Sequence, residues 1–213
     1  MIDLFGAYRE PAEKVLRQER ISREEAEFLA SVPLSLLSVL ATSVKERKSG
    51  KSVFYNRNFH VEPTNLCVFN CRFCSYRRPA GAPDAWDYSV EEIMEQVEAH
   101  CRSGATEIHI VGGVHPRKDL YYYADLIRKI RERIPSVAVK AFTAIELAYM
   151  IDKAGLSYHD GLAILKEAGM QAIPGGGAEI FDEKIRKQIC PEKGSAETWL
   201  AVHREAHRIG LKS

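Results

Sequence analysis

Cys67, Cys71 and Cys74 lie within eight residues of one another, spaced Cys-x-x-x-Cys-x-x-Cys in the segment from Asn65 to Tyr76. Three thiolates on so short a loop suit a compact soft-metal centre. A cubane 4Fe-4S cluster has four irons, so three cysteines leave one iron free to bind a small molecule, and such a loop is a reaction site rather than an electron relay. A structural zinc site would need a fourth Cys or His, usually from a second pair with C-x-x-C spacing. Cys101 and Cys190 stand apart in sequence and form no such pair. Five cysteines in 213 residues is an ordinary count for a reducing compartment, which argues against a disulfide framework.

A chain of 213 residues with 46% hydrophobic content and a net charge of +1 can bury one sizeable core. Lys and Arg are nearly balanced by Asp and Glu, so nothing marks a nucleic-acid surface. Runs such as Lys45 to Lys48 and Arg128 to Arg133 read as solvated helix faces. Met1-Ile2-Asp3 is not a basic leader, and no stretch is apolar enough to span a bilayer. The chain reads as cytoplasmic, with no nucleic-acid or membrane partner and an undetermined oligomeric state.

Two parts organise the sequence. Residues 1–57 form an N-terminal helical extension, in which Ser22 and Glu25 make a capping box and Pro33 restarts the apolar pattern. Residues 58–213 alternate extended and helical segments. Strands are expected at Asn58–Thr64, Thr106–Val111, Val137–Phe142 and Met170–Ile173, with Leu211-Lys212-Ser213 as the start of a fifth. The helix from Ser89 to Arg102 opens on a Ser89/Glu92 capping box and puts Val90, Ile93, Met94, Val97 and Cys101 on one face, which makes Cys101 a core residue. Asp119 opens the next helix, whose buried stripe is Leu120, Tyr123, Ile127 and Ile130, and which stops at Pro135. Thr143/Glu146 opens another, Ser157–Ala168 follows, and Asp182 and Ser195 open two more. Such alternation predicts an α/β fold with a parallel sheet and right-handed helical crossovers, either barrel or open sheet.

The expected strands place further polar groups. Phe59 and Val61 alternate with His60 and Glu62, and Ile108 and Ile110 with Glu107 and His109. With the apolar set turned to the helices, His60, Glu62, His109 and Lys140 face the barrel interior, where a purely structural core would carry branched aliphatics. Their polarity implies a bound polar substrate. Gly112 and Gly113 follow the second strand, and Gly175, Gly176 and Gly177 the fourth, at the strand ends where ligands bind in such sheets. Without Cβ atoms, these turns allow close backbone approach to a ligand as flat as adenosine, or simply make tight turns. Glu179 is placed to accept hydrogen bonds from ribose hydroxyls. Glu146 is either a ligand group or purely a capping residue.

The cysteine spacing, with Phe73 just before Cys74, resembles the signature of the radical S-adenosylmethionine (SAM) superfamily. The resemblance implies a full or partial (β/α) barrel with the cluster loop after the first strand, a 4Fe-4S cluster held by Cys67, Cys71 and Cys74, and SAM chelated to the open iron. Reductive cleavage of SAM then gives methionine and a 5'-deoxyadenosyl radical. Gly112-Gly113 resembles the Gly-Gly-Glu element that holds the SAM amino group, with Val114 in place of the glutamate; the backbone role survives that departure and an acidic side-chain role does not.

Five blocks, His60-Val-Glu-Pro-Thr-Asn65, Cys74-Ser-Tyr76, Gly112-Gly-Val-His-Pro116, Phe142-Thr143 with Glu146, and Pro174 to Phe181, resemble the aminofutalosine synthase family of the futalosine route to menaquinone. In that family the radical adds to the enolpyruvyl double bond of 3-(1-carboxyvinyloxy)benzoate, and 6-amino-6-deoxyfutalosine results. SAM is then a consumed co-substrate, and a flavodoxin or ferredoxin the reducing partner. Tyr76, Gly112, Gly113, Glu146, Gly175, Gly176, Gly177 and Glu179 become the expected SAM contacts, and His60, Glu62 and Lys140 the expected catalytic residues, with Lys140 suited to a substrate carboxylate. Dehypoxanthine futalosine cyclase and the deazaflavin-forming FO synthase are the nearest alternatives, and an iron-sulfur electron carrier is the alternative of another class. Four β/α units and a strand start cannot close a barrel, so the sequence reads as the N-terminal part of a longer protein.

Overall fold

The structure, a computed structural model, describes residues 2–213; the leader reading at Met1 lies outside them. Two compact units divide the chain, one running to Tyr55 and one from Asn56 to Ser213.

The first unit is helical: a 3₁₀ segment Ile2–Tyr8, then α1 (Arg9–Arg17), α2 (Arg23–Leu29) and α3 (Leu34–Ser49). The amide of Glu25 donates to Ser22 Oγ (3.2 Å) and that of Ser22 to Glu25 Oε2 (2.7 Å), closing the expected capping box at α2. Pro33 sits at the N-cap of α3, where its fixed φ and missing N–H cost little. Phe5, Ala12, Leu29, Val32 and Leu40 form this unit's own buried cluster.

The second unit alternates as expected: β1 (Asn58–Val61), α4 (Val90–Arg102), β2 (Glu107–Ile110), α5 (Leu120–Arg133), β3 (Ala138–Ala141), α6 (Ala144–Lys153), α7 (Tyr158–Ala168), α8 (Glu183–Ile189) and α9 (Ala196–Arg208). The strands are parallel, in the order β1-β2-β3. The fourth and fifth expected strands are reduced to single bridges, with Ala172 paired to Lys140 on one side and to Lys212 on the other, both parallel. Only four residues separate Gly169 from Pro174, which has no amide to extend a ladder. The result is a partial (β/α) barrel, with Ala172 and Lys212 continuing the order of the three strands.

Register settles which side chains share a face. Phe59 pairs with Ile108 and Val139 in one row, and Val61 with Ile110 and Ala141 in another. Of these, Val61, Ile108, Ile110, Val139 and Ala141 are buried, in one cluster with Ile93 and Val97 of α4 and all four expected stripe residues of α5. Each large aliphatic side chain so buried contributes roughly 1.5–3 kcal/mol. Cys101 packs against the same cluster, as core. The alternate row, His60, His109 and Lys140, lies on the opposite face.

Candidate functional site

The cysteine loop is closed at its base by residues just beyond β1. Thr64 and Asn65 are completely buried. Thr64 Oγ1 donates to the Trp86 carbonyl (2.8 Å). The Asn65 side-chain amide spans the loop, accepting from Trp86 N (2.9 Å) and donating to Asp84 O (3.0 Å), while the Asn65 backbone carbonyl accepts from Arg78 N (2.8 Å). Within this frame Cys67 and Cys71 are half-buried and Cys74 is exposed. Burial pushes the Cys71 thiol up, and the Lys193 charge opposes that rise. Cys190, remote in sequence, is buried and near enough to act on Cys71. No group of three or more His, Cys, Asp or Glu among the described residues is gathered to hold one ion. Thiols bound to three different irons of a cubane need not converge on one point.

The Gly112-Gly113 turn packs on this loop. Cβ atoms placed there would lie 2.8 Å from Thr64 O and 2.3 Å from Leu66 O respectively, so the loop's backbone already excludes any side chain. The Gly113 amide donates to Thr64 O (2.7 Å), Val68 N to Val114 O (2.9 Å), and Val114 N to Cys67 Sγ (3.4 Å). The turn thus positions the first thiol. Glu146 is the bolt behind it: Oε2 accepts from Thr143 N (2.7 Å), completing the capping box of α6, and Oε1 accepts from Gly112 N (3.1 Å). Both oxygens are engaged, which assigns the capping role and leaves little for a ligand. Burial raises its carboxyl to about 7, against the hydrogen bonds that favour the anion.

The second glycine turn differs along its length. At Gly175 a Cβ would meet nothing within 4 Å, at Gly176 only the Thr143 methyl at 3.0 Å, and Gly177 has φ +89°, a region that favours glycine. Its shape is held by Arg186, which is 2% exposed. Arg186 donates to the carbonyls of Gly177 (3.2 Å), Ala178 (2.5 Å), Ile180 (3.1 Å) and Gly194 (2.6 and 2.9 Å). Trp199 Nε1 adds a bond to Gly176 O (3.1 Å). Glu179, with φ +52°, is exposed and pairs with Lys193 (Oε1 to Nζ, 2.7 Å), so its carboxylate already has a cationic partner.

On the interior face, His60 and His109 meet edge to face with centroids 4.5 Å apart. Burial lowers His109 to about 4, helped by the positive fields of His60 and Lys140. Lys140 is not a free cation, since its Nζ lies 2.5 Å from Glu107 Oε1. Glu107 also accepts from Asn58 Nδ2 (3.3 Å); burial opposes its ionisation, but these bonds hold it below the usual carboxylate range. Tyr76 stands edge-on to Trp86 (5.2 Å). Its hydroxyl is buried without a well-aligned hydrogen-bond partner among the described residues, and burial, followed by the charge and the hydrogen-bonding carboxylate of nearby Glu62, pushes the phenol up.

The sequence reading missed Glu107 as Lys140's partner, Arg186 as the pin of the glycine turn, and Lys193. Glu107 was in view, two positions before His109 on the same face. The carbonyls gathered by Arg186 belong to turns whose geometry leaves no periodic trace.

The donor set fits the implied cofactors. Three thiols without a carboxylate beside them on the loop suit an iron-sulfur cluster, and the orphaned Tyr76 hydroxyl and the open side of Gly175 offer a polar ligand contact and space. Cys67, Cys71 and Cys74 would hold the cluster. Among proteins of known name, the aminodeoxyfutalosine synthase of Thermus thermophilus is 43% identical over 201 residues, covering 94% of this chain and 54% of the relative. The 5-amino-6-(D-ribitylamino)uracil--L-tyrosine 4-hydroxyphenyl transferase of Methanothermobacter thermautotrophicus is 37% identical over 196 residues, covering 91% and 53%. The chain thus spans about half the length of these relatives. Among solved structures, methylornithine synthase (PylB) superposes with a TM-score of 0.67 at 17% identity, covering 95% of this chain and 57% of that one, a likeness of fold alone. Residues 61–213 match the Radical SAM superfamily model, and with the cysteine loop at the carboxyl end of β1 the chain belongs to the radical SAM superfamily.

Proposed function

We propose that this chain carries the cluster- and SAM-binding part of an enzyme that joins the 5'-deoxyadenosyl group of SAM to 3-(1-carboxyvinyloxy)benzoate, giving 6-amino-6-deoxyfutalosine. The observation that carries the reading is the 43% identity to the Thermus synthase across 94% of the chain. The bound cluster and SAM would supply a one-electron reductive cleavage of the sulfonium bond, with flavodoxin or ferredoxin as electron source. The chain's own residues hold and orient. Cys67, Cys71 and Cys74 present thiolates, Gly113 and Val114 fix the first of them, and Tyr76 and the Gly175–Gly177 turn bound the space beside them. His60 and Lys140 share the interior row of the sheet, where a substrate with two carboxylates would meet them, and Glu62 lies just past the end of β1, near enough to Tyr76 for its charge to act on the phenol. Glu107 leaves Lys140 only part of its charge to offer and burial holds His109 neutral, so the rest of the barrel must supply further charge complementarity.

The test is the fate of the adenosyl group. The full-length protein, incubated anaerobically with dithionite, SAM and the enolpyruvyl benzoate, is expected to incorporate adenosyl into product in step with turnover. Release of free 5'-deoxyadenosine as the main adenosyl product would move the assignment to the cyclase-like alternative.

A further inference from the structure

The segment from Arg186 to Gly194 touches both loops of the candidate site. Arg72 N donates to Ile189 O (2.8 Å) and Asn70 N to Glu192 Oε2 (2.9 Å), which ties the segment to the middle of the cysteine loop. Arg186 ties it to the glycine turn through the carbonyls of Gly177, Ala178 and Ile180. Lys193 follows these attachments in sequence, and its side chain reaches both loops. Its side chain is 14% exposed and its Nζ pairs with Glu179 Oε1 at 2.7 Å, while the same nitrogen stands 5.6 Å from the centroid of the Phe73 ring. Phe73 is the residue before Cys74. The ammonium is thus clamped beside the cysteine loop by a carboxylate from the glycine turn.

We propose that Lys193 is a positioning residue of the cofactor site, an ammonium fixed by Glu179 beside the cysteine loop, whose charge favours the reduced state of the cluster bound there. This rests on the reading that Cys67, Cys71 and Cys74 hold a 4Fe-4S cluster. A cubane with three thiolate ligands is anionic, and taking one electron from a low-potential one-electron donor adds a further negative charge to its irons. A cation held close to it in partly buried surroundings stabilises that added charge, and solvent and salt screen it less than an exposed lysine. Glu179 has the opposite effect, because it neutralises part of the ammonium. Removing the lysine and removing the glutamate charge should therefore move the potential in opposite directions, a pattern that loss of structure would not produce.

The experiment is anaerobic reconstitution of the chain and its variants, iron and sulfide assay, and a redox titration followed by electron paramagnetic resonance without SAM. Lys193→Met is expected to keep the wild-type iron content and shift the midpoint to lower potential. Lys193→Arg should return it towards wild type, and Glu179→Gln should shift it higher. An unchanged midpoint in Lys193→Met, a shift that Lys193→Arg fails to restore, a downward shift in Glu179→Gln, or loss of iron from Lys193→Met would each overturn the proposal. Iron content of the wild-type chain reports separately on the cysteine reading: a chain that takes up no cluster refutes that reading, and this proposal with it.

Discussion

Lys140 shows how far an alternation of side chains carries and where it stops. Period-2 patterning placed it on the interior face with His60 and His109, and the register agrees. The pattern could not show that Glu107, two positions before His109 and on the same face, would bond its ammonium at 2.5 Å, because a diagonal pair depends on strand order and stagger. With side chains 23% and 16% exposed, the two charges are coupled more strongly than an open surface pair. Lys140→Met should therefore destabilise the fold by leaving Glu107 uncompensated, and adding Glu107→Gln should recover much of the loss. A double-mutant cycle from denaturant unfolding should give a coupling of roughly 0.5–3 kcal/mol; additive single effects would show that the lysine is free to serve a substrate carboxylate. Glu146 carries the pH prediction. Its folded-state value of about 7 lies above the 4.5 of an unperturbed glutamate, so the unfolded chain releases this proton first as pH rises. The stability held by the neutral form is complete below about pH 4.5 and is lost as pH rises through 7, by roughly 3 kcal/mol at most. Glu146→Gln should lower stability at pH 5, since an amide cannot accept from both Thr143 N and Gly112 N, and the gap from wild type should narrow by pH 8. A gap that is constant from pH 5 to 8 in thermal melts would remove the titration from the account.

At the scale of elements, helix starts were the most legible feature and glycine turns the least. Capping boxes at Ser22, Ser89 and Thr143 are written within four residues, and each closes in the structure. The two glycine turns look alike in sequence and differ in environment. Gly112 and Gly113 are excluded from having side chains by the backbone of Thr64, Asn65 and Leu66, whereas Gly175 faces open space. That contrast depends on which chain segment packs against each turn, a long-range fact. Gly113→Ala should accordingly push on the cysteine loop, lowering iron uptake as well as SAM affinity. Gly175→Ala should leave iron content unchanged and alter SAM affinity alone, because its Cβ meets no protein atom within 4 Å. Iron assay and SAM titration on both variants check this; full iron content in Gly113→Ala would show that the loop yields to the added methyl. The fourth and fifth strands illustrate another limit. Their positions were readable from the alternation, but how much ladder forms depends on partners and on Pro174, and each contributes a single bridged residue, Ala172 and Lys212.

At the scale of the whole molecule, composition indicated one sizeable core, and the structure has two buried clusters with no residue in common. The larger one begins at Val61 and draws every buried member from the second unit. Between α3 and β1 the chain passes through Val53, Phe54 and Tyr55, which are 84%, 79% and 87% exposed and belong to no helix or strand. A large apolar run in that setting was hard to foresee, since such residues in sequence suggest burial. It is also a proteolysis site by physical criteria, because a protease must draw an extended, accessible segment into its cleft and aromatic side chains suit chymotrypsin. Brief chymotrypsin treatment should cut first after Phe54 or Tyr55. The product that begins near Asn56 retains the whole larger cluster, the cysteine loop and both glycine turns, so it should keep its α/β circular dichroism and take up iron on reconstitution as the intact chain does. N-terminal sequencing and iron assay of the isolated product decide the matter. A first cut inside the 66–77 loop would show that the hydrogen bonds at its base leave it more open than the linker, and loss of iron uptake after a cut at Tyr55 would show that the helical unit is needed to hold the loop in its binding form.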